Sequence, residues 1–151
     1  MAEAGSQVAF RLQLRRTFQA TRERVFRAWT EGEALKHWYA PGEATVALAE
    51  VDLRVGGQWR VHMRGPEGQR YHVSGMYREV VPPSRLVFTW QWETDPPDHV
   101  MVVTVELLER GRATEVVLTH EGFRAEQERN GHQDGWGKLF DKLDKVLASA
   151  G

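Results

Sequence analysis

The sequence predicts an α+β domain: seven antiparallel strands in one sheet, a long C-terminal helix lying on it, and two short helices after the first strand. Three observations carry this reading. Apolar and polar residues alternate in seven short runs, the period of a half-buried strand. Turn residues at short intervals divide the runs, which indicates a meander of antiparallel neighbours. After His120 the period becomes helical, and the apolar stripe there needs a partner that only the sheet can supply.

Val8, Phe10, Leu12 and Leu14 make the first strand. Val25, Phe26 and Trp29 then follow helical spacing with Thr21 as N-cap. Thr30 and Glu33 have the spacing of a capping box for a second short helix that turns Leu35 and Trp38 inward and ends at Pro41-Gly42. Val46 and Leu48 lead into Val51 and Leu53, and the parity slip near Ala49-Glu50 predicts a bulge. Past the Gly56-Gly57 turn, Trp59, Val61 and Met63 alternate with Arg60, His62 and Arg64. Gly65 to Gly68 turns the chain again, and Tyr71, Val73, Gly75 and Tyr77 share one face of the next strand. Leu86, Phe88, Trp90 and Trp92 follow Pro82-Pro83; Met101, Val103, Val105 and Leu107 follow the loop at Asp95 to Asp98. Val116, Leu118 and His120 form the seventh strand. In the final helix His132, Trp136, Leu139, Phe140, Leu143, Val146 and Leu147 fall on one face, with Asp134, Lys138, Asp141, Lys142, Asp144 and Lys145 on the other.

Bulk properties narrow the function classes. The 151 residues read as a single domain over 1–151 with an ordered core at about 8–148, long enough to bury roughly two-thirds of its unfolded surface. A net charge of -1 gives no field to draw nucleic acid or an anionic membrane. Arg11, Arg15, Arg16, Arg22, Arg24 and Arg27 cluster early, but without interleaved aromatics or a reading helix they read first as a solvated face and second as a docking surface for an acidic protein partner. The absence of cysteine removes disulfides, thiolate metal sites and a cysteine nucleophile. Met1 to Gln7 lacks a signal pattern, and no run approaches the ~20 apolar residues of a membrane span, so a soluble cytoplasmic protein is expected.

Several segments together resemble a known family. They are Ala20 to Trp38, Asp52-Leu53-Arg54-Val55-Gly56-Gly57, Gly75-Met76-Tyr77-Arg78-Glu79-Val80 ahead of Pro82-Pro83, Arg85-Leu86-Val87, and the ending through His120-Glu121-Gly122-Phe123 and Gly135-Trp136-Gly137. In this order, from about residue 10 to 148, they resemble the heat-shock-protein-90 ATPase activator-like family of the START-like (helix-grip, SRPBCC, polyketide cyclase) superfamily. At Trp38-Tyr39-Ala40-Pro41 many relatives carry two tryptophans and a glycine before the proline, a departure at the lip of the cavity. The resemblance implies a curved sheet gripping the C-terminal helix, a cavity between them, and a stress-related accessory role on heat-shock protein 90.

The residues themselves point to binding more than to catalysis. His120-Glu121 begins like a zinc-protease helix motif, but Arg124 stands where the second histidine should be and the flanking residues say strand. No serine-histidine-aspartate order is recognisable, since Ser74 has outward parity and Ser149 lies at the end. His120 points inward by parity and His132 lies on the apolar helix face, so the two can meet, first as hydrogen-bonded core histidines, second as ligand-orienting groups and last as metal ligands. Glu50 is a further inward candidate. Gly131, Gly135 and Gly137 match no phosphate loop; they suggest close packing of helix on sheet, or else room for a ligand. Asp52 and Arg54 are expected to pair at the surface.

The expected cavity lining is Trp38, Trp59, Val61, Met63, Tyr71, Val73, Tyr77, Phe88, Trp90, Met101, Val103, His120, His132, Trp136 and Phe140. No catalytic residue, metal ligand or cofactor is assigned. The reading taken forward is a non-enzymatic module for a small apolar or aromatic ligand. The alternatives are an accessory domain on heat-shock protein 90, then a cyclase or dehydratase using His120 with Tyr71 or Tyr77. Quaternary structure is left open between monomer and homodimer.

Overall fold

A computed structural model describes residues 9–149. Strands β1 (Phe10–Phe18), β2 (Thr45–Val51), β3 (Gln58–Arg64), β4 (Arg70–Val81), β5 (Arg85–Trp92), β6 (Met101–Arg110) and β7 (Ala113–Phe123) form one seven-stranded sheet. Helices α1 (Arg22–Thr30) and α2 (Gly32–Leu35) separate β1 from β2, and α3 (Glu126–Ser149) closes the chain. The order β1-β7-β6-β5-β4-β3-β2 is a meander from β2 to β7, with β1 added beside β7, and every pairing is antiparallel. The two helices carry the chain from one edge of the sheet to the other. Val8 lies outside the described residues.

The alternation places the core as expected. Trp59, Val61, Met63, Val73, Tyr77, Leu86, Phe88, Trp90, Met101, Val103, Val105, Leu107, Val116, Leu118 and His120 are buried on one face of the sheet, against Trp136, Leu139, Phe140, Leu143 and Leu147 of α3. Thr21 caps α1 by accepting a hydrogen bond from the Arg24 N–H at 3.3 Å. Gly75 is required where β4 passes Trp59: a Cβ there would lie 1.8 Å from the Thr89 carbonyl oxygen, the acceptor of the Trp59 Nε1–H bond.

Local details differ from the sequence reading, each for a physical reason. No capping box joins Thr30 to Glu33; Thr30 ends α1 and its hydroxyl donates back to the Phe26 carbonyl at 2.8 Å, while Glu33 pairs with Lys36. α2 stops at Leu35, before Pro41-Gly42, although Leu35 and Trp38 are buried as expected. The β2 bulge falls between Val46 and Leu48 and absorbs the parity slip earlier, so β2 ends at Val51 and Leu53 is exposed. Glu50 points outward and ion-pairs with Arg60. Asp52 and Arg54 do pair, at 3.0 Å, within the turn that follows β2.

Candidate ligand-binding cleft

Where α3 passes over the ends of β3 and β5, the two layers do not close. Met63 comes from β3, Trp90 and Trp92 from β5, and Pro41 from the segment after α2; Gln127, Glu128, Gly131, His132, Gly135, Trp136 and Leu139 of α3 form the opposite wall. Together they enclose about 340 Å³ of largely apolar space that opens to solvent. The alternation of β5 aims both tryptophans to this side, and the helical period of α3 brings positions 128, 131, 132, 135, 136 and 139 along one flank.

The glycines of α3 are not explained by close packing of helix on sheet. A Cβ added at Gly131, Gly135 or Gly137 would meet no atom within 4 Å, so none serves close packing, and Gly131 and Gly135 border the cleft. Each glycine costs helix stability by about 0.5–1 kcal/mol relative to alanine, and no contact offsets it.

Behind the cleft the aromatics pack into a continuous block. Trp136 stacks on Trp29 with centroids 5.8 Å apart, and Tyr39 lies edge-on between Trp29, Trp59 and Trp136. Trp90 touches Trp59, Trp92, Trp136 and His120 at centroid separations of 5.2–5.5 Å. Such edge and tilted contacts add to burial and hold ring orientation. The tyrosines here are unfit for proton transfer near neutrality: burial pushes the Tyr77 phenol up, and burial together with Tyr77 raises Tyr39 well above its ordinary value.

The two histidines do meet, with ring centroids 5.3 Å apart. Each accepts an indole hydrogen bond: Trp136 Nε1–H donates to His120 Nδ1 at 3.0 Å, and Trp92 Nε1–H to His132 Nε2 at 2.9 Å. His132 Nδ1–H in turn donates to the Glu128 carbonyl at 2.8 Å. Both lone pairs are thereby spent, so neither ring is a ready base. Burial, then the neighbouring His132, holds the fully buried His120 well below its ordinary value and therefore neutral. Its Nε2 has no hydrogen-bond partner among the described residues.

The expected lining residues fall into three groups. Met63, Trp90, His132 and Trp136 border the cleft, joined by Trp92. Tyr71 has the inward parity but is 46% exposed near the start of β4, where it shares an adjoining depression with Pro41, Met63 and Trp92. Trp38, Trp59, Val61, Val73, Tyr77, Phe88, Met101, Val103, His120 and Phe140 are buried in the core and border no part of the cleft. The sequence reading did not single out Pro41, Gln127 and Glu128 at the rim, or Tyr39 within the block; Tyr39 carried a signal in its position beside Trp38 at the expected lip.

An antiparallel sheet with a long helix across one face and an apolar cleft between them defines a START-like, helix-grip domain. Within that class the chain belongs to the family described as "Activator of Hsp90 ATPase homolog 1-like protein", whose model matches residues 19–148. It is similar to the human "Activator of 90 kDa heat shock protein ATPase homolog 1", at 25% identity over 130 residues; that match covers 86% of this chain but only 34% of the human protein. The chain thus spans about a third of that relative. Among solved structures it is similar to an AHSA1 protein from Silicibacter pomeroyi, at 29% identity and a TM-score of 0.85, covering 94% of this chain and 100% of that one. A protein from Nitrosomonas europaea has 29% identity and a TM-score of 0.81, with coverage of 93% and 95%. No helix among the described residues is long and apolar enough to cross a membrane.

Proposed function

We propose that this protein is a non-enzymatic binding module that takes a small apolar or aromatic ligand in the cleft between α3 and the β3–β5 end of the sheet. The observation that carries the reading is the pair Gly131 and Gly135, which leave the helix wall bare opposite Met63, Trp90 and Trp92. A site of this size suits a compact ring system, and its few polar groups suit orientation of a ligand more than chemistry. The enzymatic alternative is weakened by the engaged imidazole lone pairs of His120 and His132 and by the raised phenol of Tyr77. Native mass spectrometry on gently purified protein tests the proposal. It expects a co-purifying small molecule or stoichiometric uptake of a neutral aromatic probe; absence of both refutes it.

A second reading is favoured by the family match: an accessory domain that binds a chaperone of the heat-shock protein 90 class. Measured chaperone ATPase rates and complex formation, with and without this protein, test it. An unchanged rate with no detectable complex eliminates it.

A further inference from the structure

Away from the aromatic block, the β5–β6 loop meets the first turns of α3 at Asp95, His99 and Glu128. One donor atom from each lies within 4.8 Å of the others. We propose that these three side chains form a binding site for a first-row transition-metal dication of the zinc type.

His99 is buried, and its Nε2–H donates to the Gly122 carbonyl at 3.3 Å. Metal-bound imidazoles are held in this way, with the second ring nitrogen anchored to a carbonyl so that the first presents its lone pair. That first nitrogen, Nδ1, makes no hydrogen bond among the described residues; Asp95 Oδ1 stands 3.9 Å from it. The separation is too long for a hydrogen bond and a few tenths of an ångström beyond the ~3.3–3.6 Å between two tetrahedral donors that each lie ~2.0–2.2 Å from a shared ion, a gap that a small turn of the Asp95 side chain closes. Glu128 Oε1 stands nearer the other ring nitrogen, 3.8 Å from Nε2, so its partly exposed side chain has to turn towards Nδ1 to complete the set.

Charge supports the assignment. Among the described residues neither Asp95 nor Glu128 pairs with a lysine or arginine, and the Arg124 guanidinium is taken by Asp98. Two carboxylates without a basic side-chain partner carry the charge that a dication cancels. Both carboxylates are already oriented by backbone donors: Trp92 N–H to Asp95 Oδ2 at 3.0 Å, and Arg124 N–H to Glu128 Oε1 at 3.1 Å. An imidazole in the set favours zinc and its neighbours over magnesium or calcium. The competing arrangement is the same three side chains packed together with no ion.

The site also touches the cleft. Asp95 fixes the backbone of Trp92, and the Glu128 carbonyl fixes His132, which accepts from Trp92. A bound ion ties the β5–β6 loop to α3 at the cleft rim.

Calorimetric titration of zinc into the untagged, chelator-stripped full chain tests this, beside His99→Gln, Glu128→Gln and a control, His62→Gln, from the outer face of β3. The proposal expects one zinc per chain, affinity at least about tenfold weaker in His99→Gln and Glu128→Gln, and no change in the control. It further expects zinc to raise the unfolding midpoint of the wild type but not of Glu128→Gln. Absence of stoichiometric binding, or binding that both cluster variants retain in full, overturns it; Glu128→Gln keeps the test decisive if His99→Gln fails to fold.

Discussion

Alanine at Gly131, Gly135 and Gly137 separates a helix wall kept bare from one pressed against the sheet. All three lie inside α3, none has positive φ, and an added Cβ meets nothing within 4 Å. Removing the glycine penalty should therefore stabilise the fold by about 0.5–1 kcal/mol at each position, or roughly 1.5–3 kcal/mol for the triple variant as a simple sum. For a chain of this length that corresponds to a rise in Tm of roughly 3–12 °C. Urea denaturation followed by far-UV circular dichroism reads the change directly, with an unaltered m-value expected. Gly75→Ala is the contrast, because its Cβ would lie 1.8 Å from the Thr89 carbonyl oxygen, so the same substitution should destabilise. Loss of stability in the α3 variants would show that the glycines serve packing and would remove the basis for an open cleft.

Two further outcomes follow from the buried polar groups. His120 is held below its ordinary 6.5 by burial and by His132, so the unfolded chain takes up a proton that the folded chain refuses. Its contribution is present above about pH 6.5 and is lost as pH falls. His62 is lowered as well, by burial and then by His72 and Arg60, and acts with the same sign. Stability measured between pH 8 and 5 should therefore drop towards acid, and His120→Phe should flatten the slope in part; an unchanged slope contradicts the assignment. Lys142 Nζ donates to the Ala40 and Ala44 carbonyls, holding the segment after α2 against α3. Lys142→Met should cost about 1–3 kcal/mol in chemical denaturation, because both buried alanines lose their partner; a neutral result would mean that water takes over the two carbonyls.

Much of the architecture was legible because period and parity act over whole strands. Seven alternating runs and one helical stripe named every strand and α3, and parity alone turned His120 inward towards His132. Features decided by single contacts were not legible. Thr30 had the spacing of a cap, yet its hydroxyl found the Phe26 carbonyl one turn back within α1. Tyr71 shares parity with Val73, but it is the second residue of β4 and is half exposed beside a surface depression. Most of the expected lining residues are core, because parity reports the face of the sheet and not the depth beneath the helix. The cleft depends on side chains that α3 lacks, and a glycine in sequence has the same appearance whether it admits a neighbour or leaves a gap. The group at Asp95, His99 and Glu128 joins a loop to a helix across more than thirty residues with no periodic signal.

Titration of the untagged protein with a neutral fluorescent arene such as 1-aminoanthracene, repeated on Gly131→Leu and Gly135→Leu, addresses the cleft most directly. Saturable one-to-one binding to the wild type is predicted, with at least about tenfold weaker binding in folded variants whose leucines occupy the space between α3 and Trp90. Absence of saturable binding, or equal affinity in both leucine variants, would contradict the cleft as the ligand site.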